Sequence, residues 1–301
     1  MYNMFKHIVL SGGGPTGFIS YGVLKTLHQE GIWNHNSIET MYGTSSGSLV
    51  CVMVALGLDW KTIDDYLIKR PWHKALQPVS SDILSLIANK GINGKELITI
   101  VMKPLLQAAG LDIDSTMQDL KNKTGIDVHI ASVDMNGEKT LTQVDICAET
   151  KPNMRVCDAL VASFAVPILF QPLIHEDSCY IDGGILNNYP VSVCLDNHPN
   201  EKAMILGVKN VWKTEKLSIC SESSFVDFMR FLLRKMHNTL DSSLLHPELD
   251  NEVVCDVSDV SNAERWVESI DSESLRANLV SRGEEIAKIF IADKILNVAK
   301  T

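Results

Sequence analysis

Near its start the chain twice runs from a short apolar strand through a glycine-rich turn into an apolar helix, and few folds accommodate that succession. Residues 8–10 end in Ser11-Gly12-Gly13-Gly14-Pro15-Thr16-Gly17, after which Ile19, Val23, Leu24 and Leu27 recur at helical spacing and Gly31 offers a stop. Residues 38–42 form a second strand-like run that passes into Gly43-Thr44-Ser45-Ser46-Gly47 and then into the apolar stretch 49–56. Two such units in a row predict a doubly wound α/β domain around a mostly parallel sheet.

The remainder follows from the same periodicities. Residues 59–125 are helical and more polar, broken by Pro71, Pro78, Gly91, Gly94 and Gly110, and read as a helical insertion that caps whatever the core binds. Strand patterns resume at 128–133, 141–144, 179–181 and 204–208, with a helix over 159–165 that ends at Pro167. Helix signals dominate from residue 224, so residues 213–301 are expected to form a helical extension packed on the sheet domain. Within it Phe225, Phe228, Met229, Leu232, Met236 and Leu240 share one helical face. Packing on the core is the ordinary use of such a face; lying on a membrane surface is the other.

Composition narrows the functions open to this frame. Against 37 acidic residues stand 27 basic ones, a formal charge of −10, and no segment holds a compensating basic block. Nucleic acid is therefore excluded as the main partner, and general attraction to anionic bilayers is weak. The seven cysteines are scattered without a C-x-x-C pair, which fits reduced thiols in the cytosol rather than a disulfide framework or a zinc ribbon. The longest apolar run, 49–58, contains Gly57 and is about half of the ~20 residues a membrane span needs. The strand-like run beginning at His7 leaves no room for a secretory leader. A cytoplasmic protein with at most peripheral membrane contact is expected, and neither a metal nor a cofactor.

The loop 12–17 satisfies G-x-G-x-x-G between a strand and a helix, through Gly12, Gly14 and Gly17. Unpaired backbone N–H groups at such a place stabilise negative charge, whether a pyrophosphate or a transient oxyanion. A dinucleotide site also wants an acidic side chain closing the second strand, and that strand closes on Met41-Tyr42-Gly43 instead. Pro15 removes a further donor. A structural glycine turn remains the plain alternative.

Gly43-Thr44-Ser45-Ser46-Gly47 matches G-x-S-x-G, again between strand and helix. In that setting the central serine is exposed on a strained turn, while the flanking glycines let neighbouring backbone pass closely. Ser45 is the candidate nucleophile. A serine needs a base, commonly a late histidine, but His198 lies in a polar loop, His237 in an amphipathic helix and His246 before a proline. Asp182 is better placed, at the end of a short strand and before Gly183 and Gly184. Strand ends at the carboxyl edge of a parallel sheet converge on one crevice, which would let Asp182 meet Ser45.

These motifs in this order, 12–17, 43–47 and Asp182-Gly183-Gly184, resemble those of the patatin-like phospholipase family. The segment 158–167 and Asn188-Tyr189-Pro190 add to the likeness, which spans residues 5–212. The resemblance implies a three-layer α/β/α fold and a Ser–Asp dyad without histidine. It makes Ser45 the nucleophile, Asp182 the general base, and the amides of Gly12, Gly13 and Gly14 the oxyanion hole. The family usually carries Arg or Lys where this chain has Thr16, a cation that would help stabilise the oxyanion loop or negative charge near it. The implied activity is that of a phospholipase A-type lipid acyl hydrolase, meeting its substrate at a membrane or micelle surface. A non-catalytic α/β protein that binds an anionic ligand at the loop 12–17 is the alternative, and acyl transfer to an acceptor other than water would use the same site.

Overall fold

The computed structural model describes residues 5–75, 88–137, 139–213, 219–223, 227–229, 231–232, 235–236, 247–260 and 268–298. The expected groups at 83–87, the candidates His237 and His246, and Phe225 and Leu240 of the amphipathic face lie outside the described residues; of that face, Phe228, Leu232 and Met236 are exposed.

The strands are β1 (His7–Leu10), β2 (Thr40–Thr44), β3 (Gly91–Asn93), β4 (Asp127–Asp134), β5 (Thr142–Ile146), β6 (Ile168–Phe170), β7 (Leu173–His175), β8 (Ser178–Asp182), β9 (Ile205–Val211) and β10 (Glu252–Asp256). The helices are α1 (Gly17–Gln29), α2 (Ser46–Ala55), α3 (Trp60–Asp64), α4 (Trp72–Ala75), α5 (Glu96–Ala108), α6 (Met117–Thr124), α7 (Val156–Phe164), α8 (Val191–Asn197) and α9 (Glu273–Val298). The main sheet runs β10-β9-β1-β2-β4-β8-β7, with β5 also paired to β4. From β10 through β4 all neighbours are parallel; β5 and β8 run antiparallel to β4, and β7 antiparallel to β8.

Parallel strands covered on both faces read as unbroken apolar runs, and β1 does so. Successive residues point to opposite faces: Ile8 and Leu10 join the large core beneath α1 and α2, whereas Val9 joins a smaller one with Tyr42, Val191 and Cys194 beneath α8. Each face thus carries its own helix layer, and the fold is mixed α/β around a mostly parallel sheet.

Two expectations change. The C-terminal part, expected to be helical, supplies β10, which pairs with β9 and extends the same sheet, so a boundary near residue 212 does not divide the core. Its apolar run Val253–Cys255 is too short to have stood out between long helical patterns. The insertion 59–125 is not all helix: β3 pairs in parallel with β6, Gly91 opposite Ile168. It ends sharply at α6, where Thr116 and Asp119 form a capping box and Gly125 closes the helix at φ 74°.

Candidate active site

Ser45 stands between the end of β2 and the start of α2 with φ 51° and ψ −124°, a conformation that L-residues other than glycine rarely hold. Its surroundings over-determine it. The Ser45 N–H donates to Ser163 Oγ of α7 at 2.8 Å, and Ser163 Oγ donates onward to the Ala131 carbonyl of β4 at 2.6 Å. The flanking glycines permit the tight crossing. A Cβ at Gly43 would lie 2.5 Å from Ser48 N, and one at Gly47 2.6 Å from the Ser11 carbonyl.

Asp182 reaches the same level by a route the sequence reading did not foresee. Its strand is antiparallel, so it is not one of several parallel strand ends. Strand β4 continues past Ala131, the partner of Thr44, and β8 returns along that extension until Asp182 pairs with Ser132. Strand β5 fills the other side of β4, so β8 takes up the side that β2 leaves, and the register sets Asp182 next to Ser45. Ser45 and Asp182 are each only 5% exposed, which matters for the acid–base chemistry. Burial raises the Asp182 pKa to about 6, against the opposing influences of the Ser45 hydroxyl and of the Gly184 N–H. That N–H donates to Oδ1 at 2.6 Å, while Oδ2 accepts no hydrogen bond of ordinary geometry among the described residues. The serine hydroxyl acts on the carboxyl without yet closing a full bond to it. Catalytic hydrogen bonds often tighten only once substrate is bound.

Beside them lies the glycine loop. A Cβ on Gly12 would come within 3.2 Å of Ser45 Cβ, and Gly13 has φ 149°, so both positions require glycine. Among the described residues the N–H groups of Gly13 and Gly14 donate to nothing, whereas the Gly12 N–H donates to the Asn188 carbonyl at 3.0 Å. Gly12 is therefore a correction to the expected donor set, because its amide is spent on holding the loop. Thr16 is buried, and its Oγ1 accepts from Asn210 Nδ2 at 2.9 Å.

Of the histidine alternatives, His198 is the one among the described residues, and it lies elsewhere. The ring of His198 stacks on His7 at 3.8 Å, and its Nε2 lies 3.2 Å from the Tyr42 hydroxyl, toward the opposite end of the strands. Two groups of metal-capable side chains, His7–His198–Glu201 and Asp127–His129–Cys147, hold their ligating atoms within 4.8 Å of one another. In the first, face-to-face rings run their lone pairs side by side instead of toward one point. In the second, Asp127 already carries Lys121 Nζ at 2.7 Å and the Ala148 N–H at 3.1 Å, and His129 Nδ1 sits 2.7 Å from Asp145. Both are internally paired networks. The sequence reading named Asn188 and Ser163 only within the family-like segments, with no role of their own, and passed over Asn210, for which an asparagine near the end of the apolar run of β9 was the one available hint.

A serine on a strained strand–helix elbow, a buried carboxyl beside it and a glycine loop in which two amides are unpaired among the described residues make up the candidate site of this α/β protein. A family model described as patatin-like phospholipase matches residues 8–195, and the chain belongs to that family of lipid hydrolases. A relative named probable lipid hydrolase 463L, from Invertebrate iridescent virus 6, is 25% identical over 92% of this chain and 92% of its own length. An uncharacterized NTE family protein of Mycobacterium bovis is 26% identical over 63% of the chain, which spans only 28% of that protein. Among solved structures, VipD from Legionella pneumophila shares the fold with a TM-score of 0.53 at 17% identity, over 96% of this chain and 67% of that one. Among the described residues no helix is long and apolar enough to cross a membrane.

Proposed function

We propose that the protein is a phospholipase A-type lipid acyl hydrolase working through a Ser45–Asp182 dyad. The observation that carries this reading is a carboxyl whose pKa is raised to about 6 by burial, level with a serine on a strained elbow. At neutral pH such a carboxyl is ionised yet far more basic than an exposed aspartate, which suits it to accept a proton from an alcohol. The Ser45 hydroxyl attacks the acyl carbon as its proton passes to Asp182. The Gly13 and Gly14 amides receive the negative charge that develops on the carbonyl oxygen. Collapse of the tetrahedral adduct expels the alcohol, which takes the proton from Asp182. Water, activated by the same carboxylate, then releases the fatty acid and restores Ser45.

Access to the buried dyad is proposed to require movement of the insertion 59–125. Its β3 pairs with β6, and the chain just before β6 holds the Asp182 N–H on the Ala165 carbonyl at 3.0 Å. The proposed substrate source is a membrane or micelle surface. In support, Met135, 51% exposed, follows β4, and Ile174, 61% exposed, lies on the hairpin that delivers Asp182.

Hydrolysis of a panel of glycerolipid and simple fatty-acyl esters by wild type and Ser45→Ala tests the reading, together with labelling by a fluorophosphonate. Activity and labelling that both vanish in the variant are expected. A wild type that takes no label, yet binds anions at the loop 12–17, would favour the non-catalytic alternative.

A further inference from the structure

Resting on the reading of Gly13 as an oxyanion donor, we infer that Asn210 is the positioning residue that aims the Gly13 amide, through an uncharged clamp completed by Thr16. The clamp acts on the peptide unit between Gly12 and Gly13. Asn210 Nδ2 donates one proton to the Gly12 carbonyl at 3.1 Å and the other to Thr16 Oγ1 at 2.9 Å. A peptide unit is planar and trans, so its carbonyl and its N–H point in opposite directions. Fixing the Gly12 carbonyl on Asn210 therefore fixes the Gly13 N–H on the far side of the plane. Glycine on both sides of that unit leaves little steric resistance to a flip, and a flipped unit would present a carbonyl where negative charge must be received. The hydrogen bonds supply the resistance that side chains at Gly12 and Gly13 would otherwise give.

Asn210 is equipped for this. It is 5% exposed, close to the end of β9, and its backbone N–H donates to Ser11 Oγ at 3.1 Å. Pairing with β10 on the outer side, where Asn210 meets Cys255, braces it further. The amide orientation follows from the partners: the Gly12 carbonyl can only accept, so Nδ2 must face it, which leaves Oδ1 buried without a hydrogen bond. Thr16 takes the second proton and stops the amide from rotating. The amide of Asn188 adds a longer contact of 3.4 Å to the same Gly12 carbonyl. Among the described residues no cation takes part in this clamp. Its second anchor is a buried threonine that serves as acceptor for a neutral amide.

The test compares Asn210→Ala, Thr16→Val and Thr16→Ser with wild type, using a soluble fatty-acyl ester and a trifluoromethyl ketone analogue, which adds to the serine as a tetrahedral oxyanion. Thermal unfolding establishes that each variant is folded at the assay temperature. Asn210→Ala and Thr16→Val should lose roughly 10–100-fold in kcat, part of what deleting a donor outright costs, with KM within about threefold of wild type. Affinity for the ketone should fall in parallel. Thr16→Ser keeps Oγ1 and should keep wild-type kcat; it is the rescue that a packing role for Thr16 would not give. Should Asn210→Ala fail to fold, Thr16→Val against Thr16→Ser carries the test alone. Unchanged kcat in Thr16→Val, a loss confined to KM, or a Thr16→Ser as impaired as Thr16→Val would overturn the clamp while leaving the dyad standing. A wild type whose hydrolysis survives Ser45→Ala would instead overturn the dyad, and the clamp with it.

Discussion

The two ends of the central strands bury polar side chains in opposite ways. Toward the N-terminal end each titratable group meets a partner: His7 has Thr40 and Glu201, His129 has Asp145, and Asp127 has Lys121. At the carboxyl end bonding capacity is left unspent, on Asp182 Oδ2, on Asn210 Oδ1 and on the amides of Gly13 and Gly14. Burying polar groups without partners is costly, so the second arrangement persists only where something else is gained. The comparison teaches where to look for chemistry in this fold: among buried groups whose bonding is incomplete, more than among those gathered into dense networks.

The harshest attempt to break the contrast is Ser45→Ala. Its kcat toward fatty-acyl esters should fall by several orders of magnitude with the fold retained, while Ser46→Ala and Ser48→Ala stay active. Survival of more than about a tenth of wild-type turnover in steady-state assays would remove Ser45 from the chemistry.

Asp182→Asn comes next, with an expected loss of about 10²–10⁴-fold. In wild type, kcat should rise with pH through an apparent pKa of about 6 as the carboxyl ionises. The same carboxyl sets a stability trend of definite sign. Its folded pKa lies above the ordinary value, so the folded state binds more protons between pH ~4 and ~6 and loses stability as pH rises through that window. Asp182→Asn should therefore be more stable than wild type above pH 6, by roughly 1–3 kcal/mol in urea titrations. A variant both inactive and destabilised would mean that the carboxylate is structural.

The paired end should answer in stability alone. Burial opposes the charge on His129, but the bonds to Asp145 and Cys147 outweigh it and raise its pKa to about 10. A raised imidazole stabilises the fold fully below pH ~6.5, and that contribution fades as pH rises toward 10. Thermal melts of wild type should show this decline, and His129→Gln should be less stable at pH 6 and flatter across the window, with kcat of the folded variant little changed. The smallest effect belongs to His198→Ala, whose turnover should stay within about tenfold of wild type. A His198 variant as inactive as Ser45→Ala, beside an active Asp182→Asn, would overturn the contrast and point to a conventional triad.

Much of the candidate site's local geometry was legible because glycine and serine at fixed offsets leave few readings once a strand precedes and a helix follows. The loop 12–17 and the elbow 43–47 stand where their periodicities put them. Asp182 was found for a partly mistaken reason: a parallel strand end was assumed, and the antiparallel return along β4 depends on pairing that no local pattern encodes. The role of the Gly12 amide was illegible for the same reason, since its acceptor, Asn188, is remote in the chain. Strand β10 went unread because an apolar triplet between helical stretches carries too little periodicity to declare itself.

Helix α1, which begins where the glycine loop ends, lies against α9 with almost nothing between the two backbones. A side chain on Gly22 would strike the Val280 carbonyl, and one on Gly283 the Ile19 carbonyl. This crossing ties two helices that are remote from each other in the chain. During translation α1 can leave the ribosome long before its partner exists, and the sheet edge formed by β10 is missing over the same interval. The candidate site is therefore braced only after a long stretch of further chain has been made, so its assembly lags well behind the synthesis of the loop and elbow that compose it.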